Sequence, residues 1–332
     1  MRPPFFSVLL PAFNAEADIG QALRDLLAQT FQEFEILVVD DGSTDQTAGQ
    51  VAGFANPRIR LIRLARNSGL VGALNAGLKE ARGQWIARQD ADDRCRPDRL
   101  ARQRNLISQN PRGVLFYSRA TLIDRRGWWR GHLRPPLESS ALRWDLCFRN
   151  PIPHTSAVFP TDLVRNELHG YRGDNVTADF DLWSRLLRRG DAHGDREALV
   201  SYRNHGGSIM GKENASGTKP SNDGLREILR SNLRDWAKAG EEDAKVVAEA
   251  WLEPSATRWA HYFSARERLA GGGLFPDPWL VGEEDYTLMH RALAVSAHCA
   301  AGMLAAMRRV CPERTRSLPQ PRTWLIRIAR GF

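Results

Sequence analysis

Apolar residues along the first 110 positions fall into short runs separated by stretches of helical spacing. Residues 6–10 and 34–39 (FEILVV) are continuous apolar runs of strand length. Residues 59–64 and 85–87 add two further short strands. Between the first two, residues 15–29 place Ile19, Ala22, Leu23, Leu26 and Leu27 at helical spacing. Residues 45–54 predict a helix with Ser43, Thr44 or Asp45 as its N-cap. Residues 70–81 are helical by composition, and residues 97–108 open a helix with Pro97 near its first position. Strands alternating with helices predict right-handed crossovers and a mostly parallel sheet flanked by helices. In such a sheet ligands sit outside the carboxyl ends of the strands.

The pattern then changes. Residues 111–205 are less regular and rich in Trp, Arg and Pro, with strands expected at 155–159 and 198–203 and a helix at 180–189. Residues 205–224 are polar and rich in Gly, Ser and Asn, which reads as a loop or linker. Helical spacing resumes over 225–239, 241–253, 257–269 and 286–309. The expected organisation is an α/β domain over 1–210 and a helical region over 211–332. Residues 292–307 are Ala-rich but shorter than the ~20 residues a bilayer span needs, so a buried helix is expected there.

Charge sharpens this picture. The chain carries 47 Lys+Arg against 39 Asp+Glu, a net +8. Residues 308–332 hold seven Arg and one Glu, so the remaining chain is nearly balanced, with 40 basic and 38 acidic side chains. A near-neutral body with no recognised binding motif argues against nucleic acid as the partner. The tail gathers Trp324, Leu325, Ile328 and Ala329 apart from Arg322 and Arg330. Such a helix suits peripheral contact with an anionic membrane, or a terminal helix packed on the domain with snorkelling Arg. The four Cys have neither metal-ligand nor redox spacing, which suits a reducing compartment. The apolar run at the N-terminus is broken by Pro11 and Asn14 and makes a poor signal peptide. The cytoplasm is the expected location, with docking on the inner face of its membrane through the tail.

Three acidic clusters carry the candidate chemistry. Asp40-Asp41-Gly42-Ser43-Thr44-Asp45 follows one expected strand, and Asp90-Ala91-Asp92-Asp93 follows another. Asp179-Phe180-Asp181 opens an expected helix. Asp and Ser after a strand often only make a turn and cap the next helix. Three carboxylates within four residues, however, repel one another and call for a cation, and hard oxygen ligands suit Mg²⁺ or Mn²⁺.

These clusters belong to a longer pattern. SVLLPAFNAE at 7–16, VVDDGSTD at 38–45, RNSGLVGALNAGL at 66–78, WIARQDADD at 85–93 followed by RPDRLARQ at 96–103, and ADFDLW at 178–183 occur in order. Over residues 5–210 the chain resembles the family 2 glycosyltransferases of the GT-A fold, a Rossmann-like sheet; the last 120 residues do not share the resemblance. The resemblance implies an inverting transfer of a sugar from a nucleotide-diphosphate donor, UDP-linked by preference. The expected acceptor is a hydroxyl of a glycan or lipid-linked glycan, in the synthesis of a bacterial cell-surface polysaccharide. A non-catalytic nucleotide-sugar-binding protein on the same fold is the alternative.

The resemblance also assigns roles. Asp90-Ala91-Asp92 matches the DXD motif, with Asp92 in contact with Mn²⁺ or Mg²⁺, Asp90 turned to the metal or ribose, and Asp93 assisting through water. Asp179 matches the general base, although Ala178 stands where the family usually has Glu. Losing that neighbouring charge should lower the pKa of Asp179 somewhat. Pro11, Ala12, Phe13, Asn14 and Glu16 match the first strand-to-helix loop, lining the base and ribose, and Asp41 the carboxylate that contacts the base. Asn67 and Gly69 fall in the loop after the third strand. Arg88 pairs with phosphate or with Asp90, and His205 is a candidate third metal ligand or phosphate donor, next to Arg203. His154 falls on the acceptor side, and residues 206–222 read either as a lid over the donor or as a solvated linker.

Overall fold

The computed structural model describes residues 3–175, 177–203, 223–236 and 238–252. The boundaries of the elements follow burial. Strand β1 (Phe6–Ala12) and β2 (Phe34–Asp40) are buried at every position. A strand covered on both faces needs a continuous apolar run, and FEILVV supplies it. Helix α1 (Ile19–Leu27) between them buries Ile19, Ala22, Leu23 and Leu26. Helix α2 (Thr47–Gly53) follows β2, and β3 (Ile59–Arg63) is a half-exposed edge strand. Helix α3 (Gly69–Glu80) leads to β4 (Trp85–Arg88). It lies close against the sheet: a Cβ on Gly77 would stand 2.2 Å from the Leu9 side chain and 2.8 Å from that of Val39.

Then come β5 (Arg94–Cys95), α4 (Arg99–Gln109), β6 (Gly113–Ile123), β7 (Trp129–Leu133) and α5 (Ser139–Asp145). Strand β8 (Val158–Pro160), helix α6 (Ala178–Leu187) and β9 (Asp191–Arg203) complete the α/β unit. The nine strands among the described residues form one sheet in the order β3-β2-β1-β4-β8-β6-β9-β5, with β7 paired to β6. The expected parallel sheet occupies β3-β2-β1-β4. Beyond it β8 runs antiparallel to β4 and to β6, whereas β6 and β9 are parallel over their length.

Several expectations need adjustment. The stretch from 111 contains an 11-residue strand, β6, at the heart of the second half of the sheet. Ser118 and Arg119 interrupt its apolar run, yet Ser118 is fully buried. The strand expected at 155–159 begins at Val158 instead, because His154–Ser156 form a 3₁₀ turn closed by Ser156 onto the Pro153 carbonyl. Helix α2 starts at Thr47, not Asp45; Asp45 stays just ahead of it, its carboxylate accepting the N–H groups of Thr47 and of Glu16 in the neighbouring loop.

Two compact units divide the chain, residues 1–224 and 225–332. The described part of the second contains most of helix Asp223–Trp236 and all of helix Glu241–Leu252, linked by ion pairs from Arg230 and Arg234 to Glu241. The loop expected at 205–224, apart from its last two residues, lies outside the described residues, as do the helices expected at 257–269 and 286–309, the candidate lid and the basic tail. Among the described residues no helix is long and apolar enough to cross a membrane.

Because β1 to β4 are parallel, their carboxyl ends share one edge. The loops at 13–18, 41–46, 64–68 and 89–93 meet there. The approach is closest at Gly42, whose φ is +71° and whose added Cβ would stand 2.7 Å from the Arg66 backbone. A Gly42→Ala substitution forces both a left-handed alanine and a backbone clash, so it should destabilise the α/β unit by about 1–3 kcal/mol. A melting temperature equal to that of the parent protein would contradict this packing.

Candidate active site

The first two loops are joined by their own polar side chains. Asn14 has a φ of 48°, and its Oδ1 accepts the Thr44 N–H at 2.9 Å while its own N–H donates to Ser43 Oγ at 3.0 Å. The Glu16 N–H donates to Asp45 at 3.1 Å, and Glu16 Oε2 accepts the Gln46 N–H at 2.9 Å. Phe13, between them, stands 45% exposed. Pro11 and Ala12 are not in this loop. They are the last residues of β1, paired with Val39 and Asp40 and buried, because the parallel ladder continues to the Asp41 N–H on the Ala12 carbonyl. The sequence reading stopped this strand at residue 10, so it assigned two ladder residues to the loop.

Asp41 is 3% exposed, and its carboxylate accepts the Ser68 N–H at 2.7 Å. Burial pushes its pKa up, against the hydrogen bonds from the loop. One of its oxygens therefore fixes the loop ahead of α3. Asn67 is exposed, and its Oδ1 accepts the Gly69 N–H at 2.9 Å. Asp40, fully buried, accepts the Ser43 N–H at 3.0 Å and meets Arg63 at 3.3 Å.

The centre of the site is Arg88, the last residue of β4, whose side chain is 0% exposed. Its guanidinium pairs with Asp90 at 2.5 Å, donates to the carbonyls of Leu9 and Gln89, and sends its Nε–H to His154 Nε2 at 3.2 Å. Of the two partners expected for Arg88, the structure shows Asp90; the guanidinium offers no exposed face to a phosphate. A second buried guanidinium, Arg99, supports this turn through the Arg88 carbonyl and Gln89 Oε1, both at 2.6 Å.

The rest of the acidic motif is held from the other half of the sheet. The Asp90 N–H donates to Thr155 Oγ1 at 3.1 Å. Asp93 Oδ1 accepts the Arg203 N–H at 2.7 Å, and Arg203 Nε donates to the Asp92 carbonyl at 2.8 Å. Asp93 is 1% exposed, and its Oδ2 is buried with no hydrogen-bond partner. Burial first, then Asp90 and Asp92, push its carboxyl well above the usual range. Asp93 thus leaves one buried oxygen unmatched beside two further carboxyl groups, donors of the hard oxygen type that divalent cations take. No three carboxylate or imidazole groups among the described residues already converge as a cage. His205, the expected third ligand, lies outside the described residues.

Asp179 occupies the first turn of α6. Asn150 Nδ2 donates to its Oδ2 at 2.9 Å, and the Phe180 N–H to its Oδ1 at 2.7 Å. Burial raises its pKa to about 6 despite these bonds and the nearby charge of Arg88. The lowering expected from Ala178 is outweighed, since desolvation is the largest influence on this carboxyl. His154 links this side to Arg88. Its Nε2 accepts from Arg88 and lies 3.0 Å from the Tyr171 hydroxyl, and burial together with Arg88 keeps its imidazole neutral. The rings of Trp183 and Phe159 support it.

The sequence reading missed Asn150, Tyr171 and Tyr202. Burial raises the pKa of the Tyr202 hydroxyl, and the charges of Asp90, Asp93, Asp92 and Asp179 raise it further. Its one sequence signal is its place in SYRNH, next to Arg203.

Comparison with known proteins places these residues in a family. The family model described as glycosyl transferase family 2 matches residues 7–166. An amylovoran biosynthesis glycosyltransferase, AmsE of Erwinia amylovora, is 33% identical over 190 residues, covering 56% of this chain and 70% of that protein. A protein of Haemophilus influenzae described as a glycosyltransferase is 28% identical over 255 residues, 74% of this chain and 78% of its own. Among solved structures, S. aureus TarS 1–349 in complex with UDP-GlcNAc is similar with a TM-score of 0.59 at 19% identity, over 92% of this chain and 90% of that one. The mannosyltransferase PcManGT from Pyrobaculum calidifontis, in complex with GDP-Man and Mn²⁺, gives 0.53 at 19%, over 94% and 88%.

The raised pKa of Asp179 has a consequence for stability. A carboxyl that titrates higher in the folded chain favours folding while protonated, and that contribution is lost as pH rises through about 6. Asp179→Asn should therefore stabilise the protein more at about pH 8 than at about pH 4.5, by up to about 2–3 kcal/mol. Paired melting curves at the two pH values check this, and an equal difference at both would contradict it.

Proposed function

Since the chain belongs to the family 2 glycosyltransferases, we propose that it moves a hexosyl or related sugar from a nucleotide-diphosphate donor to an acceptor hydroxyl with inversion. The observation that carries this reading is a buried carboxylate held by two donors, Asp179 on Asn150 and the Phe180 N–H, in a chain whose acidic motif is anchored by the buried Arg88 through Asp90.

On the donor side, the loops at 13–16, 41–45 and 66–68 form a rim suited to a nucleoside. The exposed Phe13 ring offers a stacking face. The Asp41 carboxylate has an oxygen beyond the one that holds Ser68, and it is a suitable acceptor for the imide N–H of uracil. This favours a UDP-sugar, the donor class bound by S. aureus TarS. Asp92 and Asp90 would hold Mn²⁺ or Mg²⁺, with Asp93 behind them. Such an ion would neutralise the charge that develops on the departing diphosphate. PcManGT, similar in fold, binds Mn²⁺ with its donor.

On the acceptor side, Asp179 is the general base. A carboxylate with a pKa near 6 is ionised at neutral pH yet basic enough to take a hydroxyl proton. Asn150 fixes Oδ2 and the Phe180 N–H fixes Oδ1, so the carboxylate is aimed before substrate arrives. The acceptor oxygen loses its proton to Asp179 as it bonds to the anomeric carbon, and the diphosphate leaves from the opposite face. One displacement gives one inversion.

The proposed acceptor is a glycan or lipid-linked glycan in the assembly of a bacterial surface polysaccharide, in keeping with the amylovoran relative. Contact of the basic tail at 308–332 with the cytoplasmic membrane belongs to the same proposal.

Asp179→Asn is the direct test. It should lower sugar transfer by about 10²–10⁴-fold while the donor still raises the melting temperature. In the parent protein, kcat/KM should rise with pH through about 6 as the base ionises. Transfer by the variant at the parental rate would overturn the assignment. A parent protein that binds donors yet transfers nothing would be the non-catalytic binder.

A further inference from the structure

The hairpin that joins β6 to β7 carries residues 124–130, Asp-Arg-Arg-Gly-Trp-Trp-Arg, and every one of the last six is exposed. Trp128 and Trp129 stand 65% and 64% exposed, more than any other large hydrophobic side chain among the described residues. The turn is well built. Asp124 Oδ1 accepts the N–H groups of Arg126 and Trp128 at 2.9 and 3.0 Å, and its Oδ2 meets Arg130 at 2.5 Å. Its one carboxylate is thus occupied within the turn, against three arginines on the tip. Gly127 has a φ of +82° with nothing within 4 Å of its added Cβ, so the tip is convex and open.

We propose that residues 125–130 are a membrane-docking element that seats Trp128 and Trp129 at headgroup level on an anionic bilayer, with Arg125 and Arg126 contacting lipid phosphates. Indole rings with one apolar body and one N–H settle at that depth, and clustered arginines add attraction to anionic lipid. A glycan chain would be better gripped by a cleft, because small polar ligands bind in concave sites. This tip is the opposite in shape and carries a net positive charge suited to a flat, negative surface.

Its position gives the docking a use. Arg203 NH1 donates to the carbonyls of Asp124 and Arg125 at 3.2 and 2.9 Å, while its Nε donates to the Asp92 carbonyl at 2.8 Å. One guanidinium therefore fixes the hairpin to the acidic motif. A bilayer under the tip would lie beside the edge of the sheet where that motif sits, within reach of an acceptor held in the lipid. This last step rests on the proposed glycosyltransferase reading; the docking itself does not.

The test is flotation of the full chain with phosphatidylcholine vesicles, with and without phosphatidylglycerol. Trp128→Ser/Trp129→Ser and Arg125→Ser/Arg126→Ser variants are compared with the parent after their melting temperatures are matched. The parent should bind only the anionic vesicles, and each double variant should bind them at least about tenfold more weakly. Equal binding by parent and variants would overturn the proposal and leave docking to other segments. Equal binding of the parent to both vesicle types would overturn it as well. So would loss of affinity for a soluble glycan with vesicle binding intact, which would make the tip a glycan contact. A donor-induced melting shift, measured in parallel without vesicles, reports on the glycosyltransferase reading separately.

Discussion

The site depends on a guanidinium sealed inside the protein. Arg88 ends β4 at zero exposure and reaches four groups from three parts of the chain: the Leu9 carbonyl on β1, Asp90 and the Gln89 carbonyl of the acidic loop, and the imidazole of His154. A buried charge is tolerated only when its donors are matched, and removing one partner of such a pair costs about 3–5 kcal/mol. The acidic loop therefore cannot move far without exposing an uncompensated charge. His154 is held neutral by burial and by the same cation and passes the constraint to Tyr171.

The acidic loop nevertheless keeps three carboxyl groups close together. Arg88 points inward and Arg203 is committed to backbone carbonyls. Asp90, Asp92 and Asp93 crowd together, and the buried Oδ2 of Asp93 finds no donor. A diphosphate brought to such a cluster would be repelled unless a cation came with it. Burial alone raises Asp179, whose carboxyl is moved toward neutrality by lost solvent.

Much of this was readable in the sequence, for identifiable reasons. FEILVV announced a central strand because both of its faces are buried, and the acidic runs lay directly at strand ends. Arg88 and Asp90 are two residues apart, so their pairing was open to a local reading. Strand β6 was not, because its buried Ser118 and its Arg119 break the apolar signal and its partners β8 and β9 come much later in the chain. Pro11 and Ala12 were assigned to the first loop by the resemblance, while the ladder with Val39 and Asp40 continues through them. Asn150, Tyr171 and Tyr202 reach the site only through the tertiary fold, from segments with no local motif. The hairpin at 124–130 drew no attention for the opposite reason: its tryptophans are visible in the sequence, but only the fold shows that they stay exposed.

Calorimetric titration of the protein with a nucleotide sugar, in the presence of Mn²⁺ or Mg²⁺ and again with a chelator, tests the central claim most directly. If the inward commitment of Arg88 leaves the carboxylates to a cation, donor binding should be strong with the metal and at least about tenfold weaker without it. Equal affinity with and without the metal would contradict it, because the diphosphate would then be neutralised by protein groups alone.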